Sequence, residues 1–293
     1  MSIDRELMDT LTNSRFTESA CSSDTTSSYS ITKCLWAGTT PYGDIVIAES
    51  PVYGKLLFID NELQSAESDE HIYHEHLVHP ILNATANKMN KRVLIVGGGE
   101  GATLREVLKW PQNQVKEIVW VDIDNDLVQL SKEYLQYADG VYEDPRCQFH
   151  SMDINVYLES NNTPFDVIIL DLPDPDVDRL LSGNALDYEL YGNHFWTLIK
   201  RNLAPNGQVV SHTGPVAPGK DETKWRPGLA LINSLADMPN ACAYHVNIPS
   251  FQGEWGFWMS LPHSDACRFP KEASVIDGFS QMIAFSWPKH WFL

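Results

Sequence analysis

One stretch constrains what this chain can fold into more than any other: Arg92-Val-Leu-Ile-Val-Gly-Gly-Gly-Glu-Gly-Ala-Thr-Leu-Arg105. Arg92 to Val96, rich in branched residues, reads as a parallel strand buried on both faces, and Ala102 to Trp110 reads as the helix that returns over it. Gly97, Gly99 and Gly101 fall where strand becomes helix. Backbone without side chains can approach a ligand closely there, and the helix start offers unpaired N–H groups. The outline is that of a nucleotide-type cofactor site.

The downstream segments repeat the pattern. Val115–Val121 reads as a second strand ending at Asp122-Ile123, and Asp122 lies 21 residues beyond Gly101, the spacing of a carboxylate that accepts ribose hydroxyls. After a helix over Leu127–Tyr137, a short strand at Cys147–His150 leads to Asp153, a second strand-end acid suited to an adenine amino group. Phe165–Leu170 is the clearest buried strand and runs straight into Asp171-Leu-Pro-Asp174-Pro175. A helix over Tyr188–Asn202, a strand at Gln208–His212, a helix over Lys224–Met238 and a pair of strands at Ala243–Ile248 and Trp255–Ser260 complete the pattern. This predicts an α/β fold, a Rossmann-like open sheet of the class I methyltransferase type with ligands at its carboxyl edge.

Upstream, residues 1–28 are Ser/Thr-rich after a short helix at Ile3–Leu11 and predict a flexible arm. Residues 29–66 hold β-prone segments divided by turn residues, a small antiparallel β domain that needs another surface to pack on. Residues 67–90 form a linker helix and 91–293 the catalytic domain. The helix carries His71, His74, His76 and His79 around Glu75, but not the spacing of His-Glu-x-x-His. It is read as lining the mouth of the site, with no metal. Five widely spaced cysteines without a CxxC pair predict reduced thiols. No apolar run approaches the roughly 18 residues of a membrane span, so a cytoplasmic protein is expected. A net charge of −18 argues against nucleic acid and anionic membranes and suits a small cationic substrate.

Two cofactor readings fit the loop. Gly97, Gly99 and Ala102 satisfy the dinucleotide pattern, and a dehydrogenase would retain NAD. Glu100 opposes it, because a carboxylate inside the loop repels a diphosphate and attracts a sulfonium or an ammonium. Together with Asp122, Asp153, Asp171 and Asp174 it makes five acids at or near strand ends, which favours a cationic sulfonium nucleoside and a cationic amine.

The ordered set Tyr53-Gly-Lys, Gln64, Asp69-Glu-His-Ile-Tyr-His-Glu75, Gly97-Gly-Gly-Glu-Gly, Leu104-Arg-Glu106, Asp122-Ile-Asp, Asp171-Leu-Pro-Asp-Pro175, Ile248-Pro-Ser-Phe251 and Ala284-Phe-Ser-Trp-Pro288 resembles the spermidine synthase (polyamine aminopropyltransferase) family. Glu100, Gln64-Ser-Ala-Glu67 and Phe251 with Trp255-Gly-Phe257 lean towards its thermospermine synthase branch. The resemblance implies aminopropyl transfer from decarboxylated S-adenosylmethionine to an amine such as putrescine or spermidine, without a metal, in a homodimer. On the donor side it implies roles for Gln64, His74 and the glycine loop, with Glu100 on the aminopropyl amine, Asp122 and Ile123 at the ribose, and Asp153 and Ile154 at the adenine. Asp171 is implied as the catalytic carboxylate, Tyr73 as the residue that orients the amine, Asp174 as its anchor, and Phe251 and Trp255 as acceptor contacts. Such a base is needed, since an amine with a pKa near 10.4 is protonated at neutral pH. Gly43 stands where the family usually has a Gln, Phe251 where putrescine-specific members have a Tyr, and Asp176–Arg179 and Thr213–Gly219 depart from the pattern, all of which leaves the acceptor less defined than the donor. An S-adenosylmethionine-dependent amine N-methyltransferase or an aminocarboxypropyltransferase, with Arg179 or Lys220 neutralising the donor carboxylate, is the alternative on the same fold. A non-catalytic ligand-binding relative is a third.

Overall fold

Residues 1–19, 26–175, 177, 190–261 and 268–292 are described in the computed structural model of the chain. Cys21, Cys267, Arg179 and the start of the helix expected from Tyr188 lie outside them.

The arm expected over residues 1–28 is instead ordered structure wherever it is described. Strand β1 (Ser2–Ile3) precedes helix α1 (Arg5–Leu11), whose first turn is capped by Asp4, and β2 (Ser14–Ser19) pairs antiparallel with β3 (Thr26–Ile31). Few apolar residues suffice because they face inwards together: Leu11, Phe16, Tyr29 and Ile31 are buried in one cluster. Polar side chains do the rest. Glu18 accepts from the Tyr29 hydroxyl at 2.7 Å and from the Leu63 amide at 2.6 Å, tying the hairpin to the next strands. That wiring depends on residues far apart in the chain and leaves no periodic signal.

Strands β4 (Lys33–Thr40), β5 (Gly43–Ser50), β6 (Gly54–Ile59) and β7 (Glu62–Ala66) form an antiparallel meander with β1 beside β4. Period-two alternation gives this sheet two apolar faces. One covers the hairpin; the other sets Trp36, Ile45, Ile47 and Leu57 against Leu127, Leu130 and Leu135 of the catalytic domain. The partner surface that the small sheet requires is therefore supplied at least in part by its own chain.

Helix α2 (Glu70–Ala84) then leads into a seven-stranded sheet of β8 (Lys91–Gly97), β9 (Val115–Asp122), β10 (Cys147–Ser151), β11 (Phe165–Asp171), β12 (Leu203–Val216), β13 (Cys242–Ile248) and β14 (Gly253–Met259). Their order is β10-β9-β8-β11-β12-β14-β13, parallel except for β14. Helices α2 and α3 (Ala102–Leu108) cover one face, and α5 (Ile154–Ser160) with the helices Asn193–Asn202 and Pro227–Ala236 covers the other. Helix α4 (Asn125–Leu130) runs on as a π turn. The helix expected over Lys224–Met238 is broken at Arg226, whose φ of −145° and ψ of 55° leave the helical region, as a residue before proline tends to do. After β8 the chain first builds towards β9 and β10, then returns to the other side at β11. That reversal of direction is the place where open α/β sheets bind ligands.

Candidate active site

The glycines of the loop are there because no side chain fits. Gly97, Gly98 and Gly101 adopt φ of +79°, +69° and +81°, a region that L side chains rarely enter. A Cβ on Gly97 would lie 2.1 Å from the Asp171 carbonyl oxygen, and one on Gly98 2.7 Å from the Asp171 carboxylate. The Gly98 amide donates to the same carbonyl at 2.8 Å. The loop after β8 is thus pressed directly onto the end of β11. Gly99 faces the other acid, its Cβ position lying 3.1 Å from Asp122 Oδ2.

Asp171 is held by both oxygens. Tyr73 of α2 donates its hydroxyl to Oδ1 at 2.8 Å, and Thr103 of α3 donates to Oδ2 at 2.6 Å. Each oxygen keeps a lone pair for a further proton. Burial, then the charge of Asp171, pushes the Tyr73 phenol well above its ordinary range, so it stays a donor.

Helix α2 brings a charged network under this pair. Arg105 donates to both oxygens of Glu70 at 2.8 and 2.9 Å and through Nε to Glu106 at 2.8 Å. His74 Nδ1 donates to the Glu70 carbonyl and carboxylate at 2.7 and 2.9 Å. Burial pulls the His74 ring down, but Glu70, with Asp171 and Glu100 beyond it, outweighs this and raises it to about 9. Burial alone would raise Glu70, yet His74 and Arg105 hold it at about 2. Two residues on, His76 sits among apolar side chains and burial drops it to about 4. His79 is paired with Glu106 at 3.0 Å. These histidines serve the helix and its neighbours as single hydrogen-bonding groups. Asp69 at the helix start does not cap it; its carboxylate accepts the Ser250 amide at 2.7 Å and ties α2 to the turn after β13.

In the glycine loop, burial raises Glu100 to about 7 against the opposing pull of His74, and its Oε2 is enclosed without a hydrogen-bond partner. Burial likewise raises Asp122 to about 6 against a hydrogen bond from the Asp124 amide. Ile123 beside it is 39% exposed, an apolar surface at the sheet edge. Asp153 caps α5 through Oδ1 and is exposed, while Ile154 is buried in the core below. The structure therefore gathers Gly97, Gly99, Glu100, Gly101 and Asp122 around one crevice and sets Asp153 at the neighbouring strand end.

Beyond Tyr73 the lining is aromatic. Tyr73 lies 6.5 Å from the Phe251 ring, which lies 4.5 Å from Trp255. Gln64, Tyr73, His74 and Phe251 line one small cavity between the N-terminal sheet and the main domain. Asp174 faces His212, its Oδ1 lying 3.4 Å from the ring Nδ1. Sequence reasoning gives Thr103, Arg105 and His212 no role of their own; their roles depend on β11, α2 and β14 coming together. Among the described residues, enclosed polar atoms without a partner concentrate here: Asp69 Oδ1, Glu100 Oε2, Tyr191 hydroxyl, His212 Nδ1, Thr213 Oγ1, Ser250 Oγ and Trp255 Nε1. Buried polar atoms left open at one place point to a bound polar ligand.

Residues 70–269 match the family model described as the spermine/spermidine synthase domain, and residues 16–67 the one described as the spermidine synthase tetramerisation domain. Polyamine aminopropyltransferase 2 of Pseudomonas aeruginosa is 38% identical over 81% of this chain, which spans 66% of that protein. The polyamine aminopropyltransferase of Saccharolobus solfataricus is 35% identical over 89% of this chain and 86% of its own length. The crystal structure of spermidine synthase from Thermotoga maritima superposes with a TM-score of 0.78 and 23% identity, covering 94% of this chain and 91% of the other, a likeness of fold.

Proposed function

The chain belongs to the spermine/spermidine synthase family, and from that premise we propose that its cleft moves the aminopropyl group of decarboxylated S-adenosylmethionine to an amine of a polyamine such as putrescine or spermidine. The observation that carries this reading is the placing of two acids across one crevice. Glu100 has an enclosed, unpartnered oxygen, and Asp171 is oriented by Tyr73 and Thr103. The first suits the donor's ammonium and the second the attacking amine.

In this mechanism the glycine loop and Asp122 hold the nucleoside, Ile123 supplies apolar surface beside it, and Asp153 serves the base from the neighbouring strand end. Asp171 takes a proton from the acceptor ammonium, and Tyr73 fixes the nitrogen beside that carboxylate. The freed lone pair forms a C–N bond to the carbon next to sulfur as the C–S bond breaks. The sulfonium keeps that electron pair and leaves as neutral methylthioadenosine. Because the sulfonium is already activated, holding two cations in line supplies much of the rate. Acids on both sides of the cleft offset their mutual repulsion.

Incubation with decarboxylated or intact S-adenosylmethionine against a panel of amines, followed by mass spectrometry, tests this. The expected product gains one aminopropyl unit. Gain of a methyl or aminocarboxypropyl group would replace the reading with its alternatives. The match of residues 16–67 to a tetramerisation domain supports a homo-oligomer built through the N-terminal sheet, with a homodimer as its smallest form. Light scattering at several concentrations checks it.

A further inference from the structure

The acceptor side contains a histidine that the transfer chemistry does not use. His212, on β12, is 3% exposed and cannot swing freely. Its ring lies against Trp255 at 6.2 Å and 12°, with Tyr73 at 5.8 Å on another side. Its Nε2 is 2.5 Å from the Leu172 carbonyl oxygen. A carbonyl only accepts, so this nitrogen carries the proton, and in the neutral ring Nδ1 presents a lone pair.

That lone pair has no hydrogen-bond partner among the described residues, and it faces Asp174 Oδ1 at 3.4 Å. The His212 nitrogen is enclosed, and two acceptors turned towards each other are unfavourable until a donor reaches both. The gap is longer than an ordinary N–H···O bond, and one ammonium with three donors can contact both atoms. Asp174 keeps 41% of its side-chain surface, so the fork is open on the carboxylate side. Trp255 and Phe251 beside it offer ring faces to a cation and its methylenes.

Resting on the aminopropyltransferase reading, we propose that His212 determines acceptor specificity: its Nδ1 and Asp174 Oδ1 form a two-acceptor fork for a remote ammonium of the polyamine, away from the nitrogen that attacks. A ring lone pair contributes a hydrogen bond and no charge of its own, so the fork rewards correct spacing between amines rather than positive charge alone.

Steady-state kinetics over diamines and triamines of graded length test this in wild type, His212→Phe, His212→Gln and the combination with Asp174→Asn. His212→Phe keeps the aromatic contact and loses the lone pair. The KM of the preferred amine is expected to rise roughly tenfold or more, with kcat changed less and donor affinity unchanged. His212→Gln returns an acceptor oxygen and recovers most of the loss. His212→Phe and Asp174→Asn together should lose less than the product of their separate effects. His212→Leu serves as a second truncation if the phenylalanine variant does not fold. An unchanged or lower KM in the truncations would overturn the fork, the latter because an imidazolium had been competing with the substrate. Parallel loss of donor affinity would reduce His212 to a structural role. If wild type transfers nothing to any amine, the underlying reading fails instead, which these outcomes keep distinct.

Discussion

The two halves of the cleft are assembled over different distances along the chain. The donor half comes from Gly97 to Asp153, a continuous run of β8, α3, β9, α4 and β10 in which parallel register sets Asp122 beside Ser151. The acceptor half draws on Tyr73, Asp174, His212, Phe251 and Trp255, from four separate elements and the loop after β11. The donor half is shaped by backbone that only glycine allows and by acids that burial raises, Asp122 to about 6 and Glu100 to about 7. The acceptor half is shaped by stacked rings. On the proposed assignment, local backbone geometry holds the nucleoside, while long-range packing chooses the amine.

Asp171 stands at the seam, and replacing it should separate chemistry from donor binding most strongly. In Asp171→Asn, kcat is expected to fall by about 10²- to 10⁴-fold, with donor affinity by calorimetry nearly unchanged. Near-normal turnover would remove Asp171 from its role. Gly97→Ala attacks the seam from the other side. Its methyl would meet the Asp171 carbonyl at 2.1 Å in a backbone with φ of +79°. It should cost more than about 1 kcal/mol of stability in urea unfolding and weaken donor and acceptor alike. Loss confined to one of them would show that the halves are not joined through this contact.

Glu100 gives the donor half a pH signature. Because burial raises its carboxyl from 4.5 to about 7, the folded protein holds a proton there that the unfolded chain releases earlier. Stability therefore falls as pH rises through that window. Donor binding runs the other way: a cationic donor prefers the ionised acid, so its affinity should rise from about pH 6 to 8. Glu100→Gln is expected to flatten both profiles and weaken donor binding about tenfold at pH 8. A donor affinity in the variant that still climbs with pH would assign the titration to Asp122.

What can be read from the sequence divides along the same line. Gly97 to Gly101, Asp122 and Asp171 are legible because branched strands, positive-φ glycines and strand-end acids are local signals. The β2–β3 hairpin is not, because Glu18 joins its own strand partner Tyr29 to the Leu63 backbone amide of a later strand. Nor is the split after Trp225 foreseen, although Pro227 marks it. His212 looks like any strand residue until the Leu172 carbonyl and the Trp255 ring are placed beside it. Asp69 directly precedes helix α2, yet its carboxylate accepts from the distant Ser250 amide. Apart from the break that Pro227 marks, each miss is a side chain whose partner is far away in sequence, which is also how the acceptor half is made.

Phe251 offers the mildest test of that division. It lies on the short turn Pro249–Phe251, its ring against Trp255 at 4.5 Å and near Tyr73 at 6.5 Å. Phe251→Tyr adds one hydroxyl to an aromatic wall without altering its shape much. A new hydrogen bond near an amine changes binding by about two- to tenfold, so the ratio of kcat/KM between a short diamine and a longer triamine should shift by that much in favour of the diamine. Donor affinity should stay where it was, since β8 and β9 do not feel this ring. A change in donor affinity as large as the change in acceptor preference would mean that the turn after β13, tied to α2 through Asp69, transmits strain to His74 and Glu100, and the two halves would then have to be treated as one.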